Sequence, residues 1–220
     1  MEKIQTKNIK SFSRRIGKCL SNIQQNLLEE ELPKVLVDKD NPLNGIPDNI
    51  DINLEIGIGM AQHFINQCVS SPAAFFIGCE PYLNGIANAL KLAKEQEISN
   101  FKLWNDDADL ILANIKPETF SKIFLLFPDP WPKTKQKKRR FAGIGRTQLI
   151  KSLLKKGGDF IFASDIQDYV EDVFDIAIKA GFIDNSKENR QPHEHYVQTK
   201  FHTKAIEAGR SAQFLILRKK

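Results

Sequence analysis

The stretch NLEIGIGMAQHF, residues 53–64, decides the fold that the sequence predicts. Its apolar start is typical of a buried strand, and the pattern after Gly57 and Gly59 is typical of a helix. Glycines at such a junction let the backbone turn tightly and approach a ligand closely, at the carboxyl end of a strand, where open α/β sheets bind ligands. We therefore predict a strand, a ligand-facing glycine turn and a helix, in that order.

The same alternation of strands and helices continues along the chain. The predicted strands are 53–56, 74–79, 101–104, 122–127, 159–163 and, near the C-terminus, 213–217. Apolar residues at helical spacing predict helices over 83–93 and 166–178. This order is typical of an α/β fold with a doubly wound, mostly parallel sheet. The segment after Gly181 is expected to add antiparallel strands at the C-terminal edge.

The composition of the 220 residues, 41% hydrophobic and 27% charged, is that of an ordinary globular protein with a core of its own. The apolar runs are too short to cross a bilayer and the N-terminus has no apolar signal segment, so we expect no membrane contact and a cytoplasmic location. Three cysteines without a C-x-x-C pair argue against a disulfide framework and against a zinc site. We predict no bound metal.

Positive charge is concentrated in two places. Residues 1–45 are predicted to form a basic N-terminal extension, with a helix over 14–32 closed by Pro33, ahead of a main domain at 46–220. The basic residues of this extension are interpreted as either a solvated face or a binding arm. The second run, KTKQKKRR at 133–140, holds six basic residues and no acidic one, against a net charge of +5 for the whole chain. Its place inside the main domain predicts a phosphate-binding surface.

Polar side chains lie at the carboxyl ends of four successive predicted strands. They are Glu55, Glu80, the pair Asn105 and Asp107, and Asp129. Because the carboxyl ends of parallel strands meet at one edge, we expect a single acidic crevice. Such a crevice repels a pyrophosphate, and the third glycine of the dinucleotide fingerprint is missing at Gln62, so an NAD-dependent oxidoreductase is disfavoured. S-adenosylmethionine, which carries a sulfonium and an ammonium group, suits this crevice better.

Three of these features have a structural alternative. Glu80 is also placed to stabilise the start of a helix, with Pro81 in its first turn. One of the acids at 106–107 suits a helix N-cap. Trp131, in the sequence LFPDPWPKTKQKKRR at 125–139, suits core packing as well as base stacking.

Together these motifs closely resemble the tRNA (guanine-N7)-methyltransferases over about residues 50–215. The matching motifs are E-x-G-x-G at 55–59, the acid at 80, N-x-D-A at 105–108, P-D-P-W-P-K at 128–133 with its basic tail, and T-x-F at 199–201. The resemblance implies a Rossmann-like class I methyltransferase fold, S-adenosylmethionine as the methyl donor and tRNA as the partner. It also implies methyl transfer to guanine N7 by a monomer or homodimer.

The resemblance also implies the role of individual residues. The residues implied to bind the cofactor are Glu55, Gly57, Gly59, Glu80, Asn105, Asp107, Ala108 and Asp129, and Asp129 is in addition the implied catalytic acid. The residues implied to bind the substrate are Lys133, Asp165, Thr199, Lys200, Phe201 and His202. The residues implied to contact RNA are Lys135, Gln136, Lys137, Lys138, Arg139 and Arg140. Asp165 has an alternative role as a helix N-cap before Ile166.

The sequence departs from the family at His202, where the family usually has a glutamate. A neutral histidine lacks the two acceptor oxygens that a carboxylate offers to a guanine edge. This departure keeps open a non-catalytic RNA-binding protein of the same fold. A methyltransferase acting on an exocyclic amine is a second alternative, which the single proline between Asp129 and Trp131 disfavours.

Overall fold

The computed structural model describes residues 15, 17 and 19–220, and within them the chain forms a seven-stranded sheet with helices on both faces. The strands are β1 (Asp51–Ile56), β2 (Ala74–Cys79), β3 (Phe101–Trp104), β4 (Phe120–Leu126), β5 (Leu154–Ser164), β6 (Phe182–Asp184) and β7 (Gln213–Lys219). The α-helices are α1 (Asn22–Glu30), α2 (Leu32–Val35), α3 (Gln62–Ser70), α4 (Leu83–Glu95), α5 (Asp109–Leu112), α6 (Ile144–Leu153), α7 (Gln167–Lys179) and α8 (Lys200–Glu207). None of these helices is long and apolar enough to span a membrane.

The strand order β3-β2-β1-β4-β5-β7-β6 is that of a doubly wound sheet. Strands β1 to β5 pair in parallel, whereas β7 runs antiparallel to both β5 and β6. The predicted fold class is therefore confirmed, including the antiparallel C-terminal edge. One detail differs, because β7 inserts between β5 and the short outermost strand β6.

Alternate residues of each strand enter different apolar clusters. On β2, Ile77 packs in the cluster that includes side chains of α5, α6 and α7, and Phe76 packs in the cluster that includes side chains of α3 and α4. A third cluster surrounds Phe124 of β4 and Phe214 of β7. Burial on both faces explains why the central strands read as nearly continuous apolar runs.

In the described part of residues 1–45, the structure differs from the predicted helix over 14–32. The part of the predicted helix before residue 19 lies largely outside the described residues. In the described part α1 ends at Glu30, and Pro33 lies in the first turn of α2. Proline lacks only an N–H that has no partner in a first turn, so Pro33 begins a helix here and does not close one.

Residues 19–45 also pack against the rest of the fold. The Val37 N–H donates a hydrogen bond to the Leu103 carbonyl at 2.9 Å, and Val37 and Leu32 are both buried. The α1 helix contacts α4. The domain boundary near residue 45 stays a prediction.

The glycine turn after β1 is held closely against α4. A Cβ added at Gly85 would lie 2.1 Å from the carbonyl oxygen of Gly59, whereas a Cβ added at Gly145 of α6 would meet no atom within 4 Å. Because backbone cannot move aside easily, we expect Gly85→Ala to lower the free energy of unfolding by about 1–3 kcal/mol. Gly145→Ala is the matched control, and we expect it to be neutral or to stabilise by up to about 1 kcal/mol. Urea unfolding of both variants measures the difference, and equal effects would contradict this packing.

Candidate active site

A cavity of about 610 Å³ lies at the carboxyl edge of the parallel strands. The strand register sets Ile56 beside Cys79 and Leu125, and Cys79 beside Trp104. The residues that follow these positions therefore meet at one edge. Seven of the residues named from the sequence as cofactor ligands line this cavity: Glu55, Gly57, Gly59, Glu80, Asp107, Ala108 and Asp129. Asn105 directly follows β3 and is not among the lining residues.

The turn after β1 adopts the left-handed backbone conformation at three residues. Gly57 has φ 78° and Gly59 has φ 55°, values that glycine adopts without steric cost. A Cβ added at Gly57 meets no atom within 4 Å, so the turn leaves open room beside the cavity. Ala61, with φ 63°, is the third left-handed residue. The left-handed conformation that favours glycine thus occurs at Ala61. It does not occur at Gln62, where the dinucleotide fingerprint has its third glycine.

Glu80 joins two backbone turns and lines the cavity as well. Its Oε2 accepts a hydrogen bond from the Gly59 N–H at 2.7 Å, and its Oε1 accepts one from the Tyr82 N–H at 2.9 Å. The side chain is buried, with 8% of the residue exposed. Burial raises the pKa of Glu80, the two N–H donors oppose this rise, and the charges of Asp129 and Glu55 add to it. The carboxylate accepts the Tyr82 N–H at the start of α4 and lines the cavity, and its role as a cofactor ligand stays a prediction.

The three acids after β3 form structural contacts, and two of them, Asp106 and Asp107, also line the cavity. Oδ1 of Asp107 accepts a hydrogen bond from the Asp109 N–H at 3.1 Å, while Asp107 also lines the cavity. The N-cap of α5 is Ala108, without a side-chain cap hydrogen bond, so neither acid at 106–107 is the N-cap. Burial raises the pKa of Asp107. Asp106 forms an ion pair with Arg15 at 2.6 Å. Asp109 accepts hydrogen bonds from Arg146, whose guanidinium also lies over the ring of Phe141.

The loop after β4 carries backbone strain on both sides of Asp129. Phe127 has φ 50° and Trp131 has φ 42°, which is unusual for bulky residues and costs on the order of 1–3 kcal/mol at each position. Asp129 is exposed and lines the cavity, and among the described residues no hydrogen bond or ion pair engages its carboxylate. Trp131 is half-buried beside the cavity, with the Arg139 guanidinium 4.9 Å from its ring centroid. Core packing of Trp131 is thereby ruled out.

The basic run forms a 3₁₀ helix at Thr134–Arg139. Some of its side chains are exposed, and others form ion pairs or line the cavity. Lys133, Lys135 and Lys138 are exposed, and Gln136 is half-buried. Lys137 forms an ion pair with Asp168 at 2.5 Å, and Arg139 lines the cavity.

Arg140 requires a correction of its predicted role. The residue is only 5% exposed, and its guanidinium donates to the Pro130 carbonyl and forms ion pairs with Asp168 and Asp172. The guanidinium also lies 4.5 Å from the ring centroid of Tyr169. Because these contacts already occupy its N–H groups, we assign Arg140 a structural role in fastening the loop to α7 and withdraw it from the RNA contacts.

The predicted substrate residues near the C-terminus are divided between the main cavity and a neighbouring pocket. Lys200 and Phe201 line the cavity together with Thr199, whose hydroxyl oxygen also caps α8 by accepting the His202 N–H at 3.2 Å. The His202 ring stacks on Phe127 at 5.4 Å between centroids and bonds the Tyr196 hydroxyl at 2.9 Å. It lines a neighbouring pocket and not the main cavity. Burial lowers the pKa of His202.

Asp165 and Lys133 do not line the main cavity either. Asp165 forms an ion pair with Arg210 at 2.6 Å. The N-cap of α7 is Ile166, without a side-chain cap hydrogen bond, so the capping alternative for Asp165 is wrong.

Several residues that line the cavity were not predicted from the sequence. They include His63, Tyr82, Phe141, Arg146 and Lys204. Their places at the cavity follow from contacts that form only on folding, such as the pairing of Arg146 with Asp109. Among the described residues no group of three His, Cys, Asp or Glu side chains is arranged to hold a metal ion.

In chemical terms, carboxylates and cations both line the cavity. The carboxylates of Glu80, Asp107 and Asp129 attract a cationic ligand, while Lys200 and Lys204 attract an anionic one. Asp129, on the strained loop, is exposed, as are the two lysines. The arrangement is suited to bringing a cation together with a polyanion.

Comparison with known proteins gives a consistent result. A sequence family described as "Putative methyltransferase" matches residues 49–215. The bifunctional methyltransferase of Rickettsia conorii is 46% identical over 95% of this chain and 40% of its own length. The tRNA (guanine-N(7)-)-methyltransferase of Azorhizobium caulinodans is 38% identical over 93% of this chain and 92% of its own length.

A solved structure supports the fold. The aminoglycoside resistance methyltransferase NpmB1 superposes with a TM-score of 0.58 at 12% identity, over 84% of this chain and 94% of its own. At this identity the likeness concerns the fold alone. The chain spans about 40% of the length of the bifunctional relatives that it matches.

Proposed function

The chain belongs to the tRNA (guanine-N7)-methyltransferase family, and from this membership we propose that it transfers the methyl group of S-adenosylmethionine to N7 of a guanine in tRNA. The observation that carries the proposal is the meeting of three features at one cavity. These are the buried carboxylate of Glu80 after β2, an exposed carboxylate on a strained loop after β4, and exposed lysines directly beyond that loop.

The donor set of the cavity fits S-adenosylmethionine. Glu80, rigidly held by two N–H donors, suits the hydroxyls of a ribose, and the open turn at Gly57 leaves room for close approach to the backbone. Asp107 and Ala108 suit the edge of an adenine. When bound, this cofactor supplies an electrophilic methyl group on a sulfonium. The lining carboxylates favour such a cation and disfavour a pyrophosphate.

Methylation at N7 requires positioning more than proton removal. The N7 lone pair of guanine lies in the ring plane outside the aromatic system, so it attacks a methyl group without losing a proton first. Holding the reacting atoms in line contributes about 7–11 kcal/mol in the best cases. Positive charge appears on the purine as the reaction proceeds, so the unengaged carboxylate of Asp129 interacts more strongly with the transition state than with the substrate. Its rigid loop keeps this charge in place beforehand.

The tRNA is proposed to bind over the rim of the cavity. Exposed Lys133, Lys135 and Lys138 attract phosphates, and Lys200 and Lys204 continue the positive surface on α8. A guanine must leave its stack to reach the cavity, and Trp131 and Phe201 offer aromatic surfaces beside it.

We expect Asp129→Asn to lower the methyl-transfer rate to tRNA by about 100-fold or more, because the variant keeps the loop shape and loses the charge. The measurement is the single-turnover rate of 7-methylguanosine formation. Asp175→Asn, at an exposed position on α7, is the matched control and should leave the rate unchanged. RNA binding by gel shift should persist in both variants. An Asp129→Asn rate close to that of the parent would contradict the assigned role.

The exposed lysines of the loop should determine how tRNA affinity depends on salt. Replacing Lys133, Lys135 and Lys138 by alanine should reduce the slope of log affinity against log salt by roughly 0.7–0.9 for each lost phosphate contact. Lys91→Ala, on the exposed side of α4, is the control and should leave the slope unchanged. A slope that the triple variant does not change would show that the run is only a solvated face.

A further inference from the structure

A buried chain of hydrogen bonds links the end of β1 to the segment that precedes α8. The Glu55 Oε2 lies 2.7 Å from His63 Nδ1, His63 Nε2 lies 3.1 Å from His193 Nε2, and His193 Nδ1 lies 2.7 Å from the Glu194 carbonyl oxygen. His63 is 1% exposed and His193 is 9% exposed. The pairing spans 130 residues of sequence between the two histidines. We call this set the histidine chain.

The donors and acceptors of the histidine chain can be assigned by counting protons. A carbonyl oxygen only accepts, so the hydrogen of His193 is on Nδ1. Burial, together with the nearby His63, lowers the pKa of His193 to about 3, so its Nε2 holds a lone pair and accepts from His63. His63 Nε2 then carries a hydrogen, and one further proton lies between His63 Nδ1 and Glu55.

Aromatic side chains enclose this chain. The Phe124 ring lies 5.2 Å from His63 and 5.3 Å from His193, between ring centroids. The Tyr196 ring lies 5.8 Å and 5.6 Å from the same two histidines. The hydroxyl of Tyr196 then bonds His202 and accepts the Thr199 N–H. The histidine chain therefore connects the methyl-donor side of the cavity to the residues that begin α8.

A second contact fastens the same segment to α3. The side-chain amides of Asn66 and Gln67 donate to the carbonyl of His195 at 2.7 and 2.9 Å. The imidazole of His195 is half-exposed and takes no part in the histidine chain. Two histidines of one segment, separated by Glu194, thus differ sharply in their surroundings.

We propose that His63 and His193 are positioning residues that fix residues 193–202 against the methyl-donor site, so that the tRNA-side wall of the cavity is held in register with the donor. This inference rests on the proposed function. Loss of His193 removes the hydrogen bond that ties the segment to His63 of α3, and it leaves the bond between Glu55 and His63 in place. Cofactor binding and methyl transfer should therefore respond differently.

The test compares His193→Ala, His193→Gln and His195→Ala in the full chain. His193→Ala should lower kcat with tRNA by about 100-fold, as expected for misplaced reacting groups, with the calorimetric Kd for S-adenosylmethionine unchanged. His193→Gln keeps an acceptor for His63 and should restore most of the rate. His195→Ala should behave as the parent does.

Amide hydrogen exchange of the same variants tests the positioning independently of methyl-transfer activity. The amide of His202, which bonds the Thr199 hydroxyl, should lose protection in His193→Ala and keep it in His195→Ala. Unchanged protection, an unchanged rate, or equal losses of rate and cofactor affinity without rescue by glutamine would overturn the inference. A parent protein that forms no 7-methylguanosine would instead refute the proposed function, and the exchange data would still test the positioning.

Discussion

The site depends on one carboxylate that accepts hydrogen bonds from the backbone N–H groups of two turns. Glu80 accepts the N–H of Gly59 from the turn after β1 and the N–H of Tyr82 from the start of α4. A buried carboxylate without such partners would be costly, so these bonds are what makes an acid tolerable at this place. They also fix the distance between the glycine turn and α4, where the Gly59 carbonyl leaves no room for a side chain at Gly85. The part of the cavity between the glycine turn and α4 is therefore built around Glu80.

The sequence predicts the parts of the fold that follow from periodicity. Burial on both faces makes the central strands apolar, and parallel pairing brings Glu55, Glu80 and Asp129 to one edge, so these positions are readable without a structure. The limits are equally physical. Arg140 stands in a run of exposed cations, and only its pairing with Asp168 and Asp172 of α7 reveals a structural role. Likewise His63 and His193 carry no local signal, because their partnership forms only on folding.

His202 illustrates how a departure from a family pattern acquires meaning from its surroundings. From the sequence, the loss of a glutamate suggests weakened recognition of guanine. In the structure the imidazole stacks on Phe127 and bonds Tyr196, which places it in the wall next to the strained loop. The exposed acid at the main cavity is Asp129, and we propose that Asp129, not His202, interacts with the guanine.

The most direct test of this account is to identify the methylated atom. The protein is incubated with bulk tRNA and methyl-labelled S-adenosylmethionine, the RNA is digested, and the labelled nucleosides are separated by mass spectrometry. The account predicts that the label appears in 7-methylguanosine at a defined position of the tRNA. Label in a base methylated on an exocyclic amine, or no label with the cofactor bound, would contradict it.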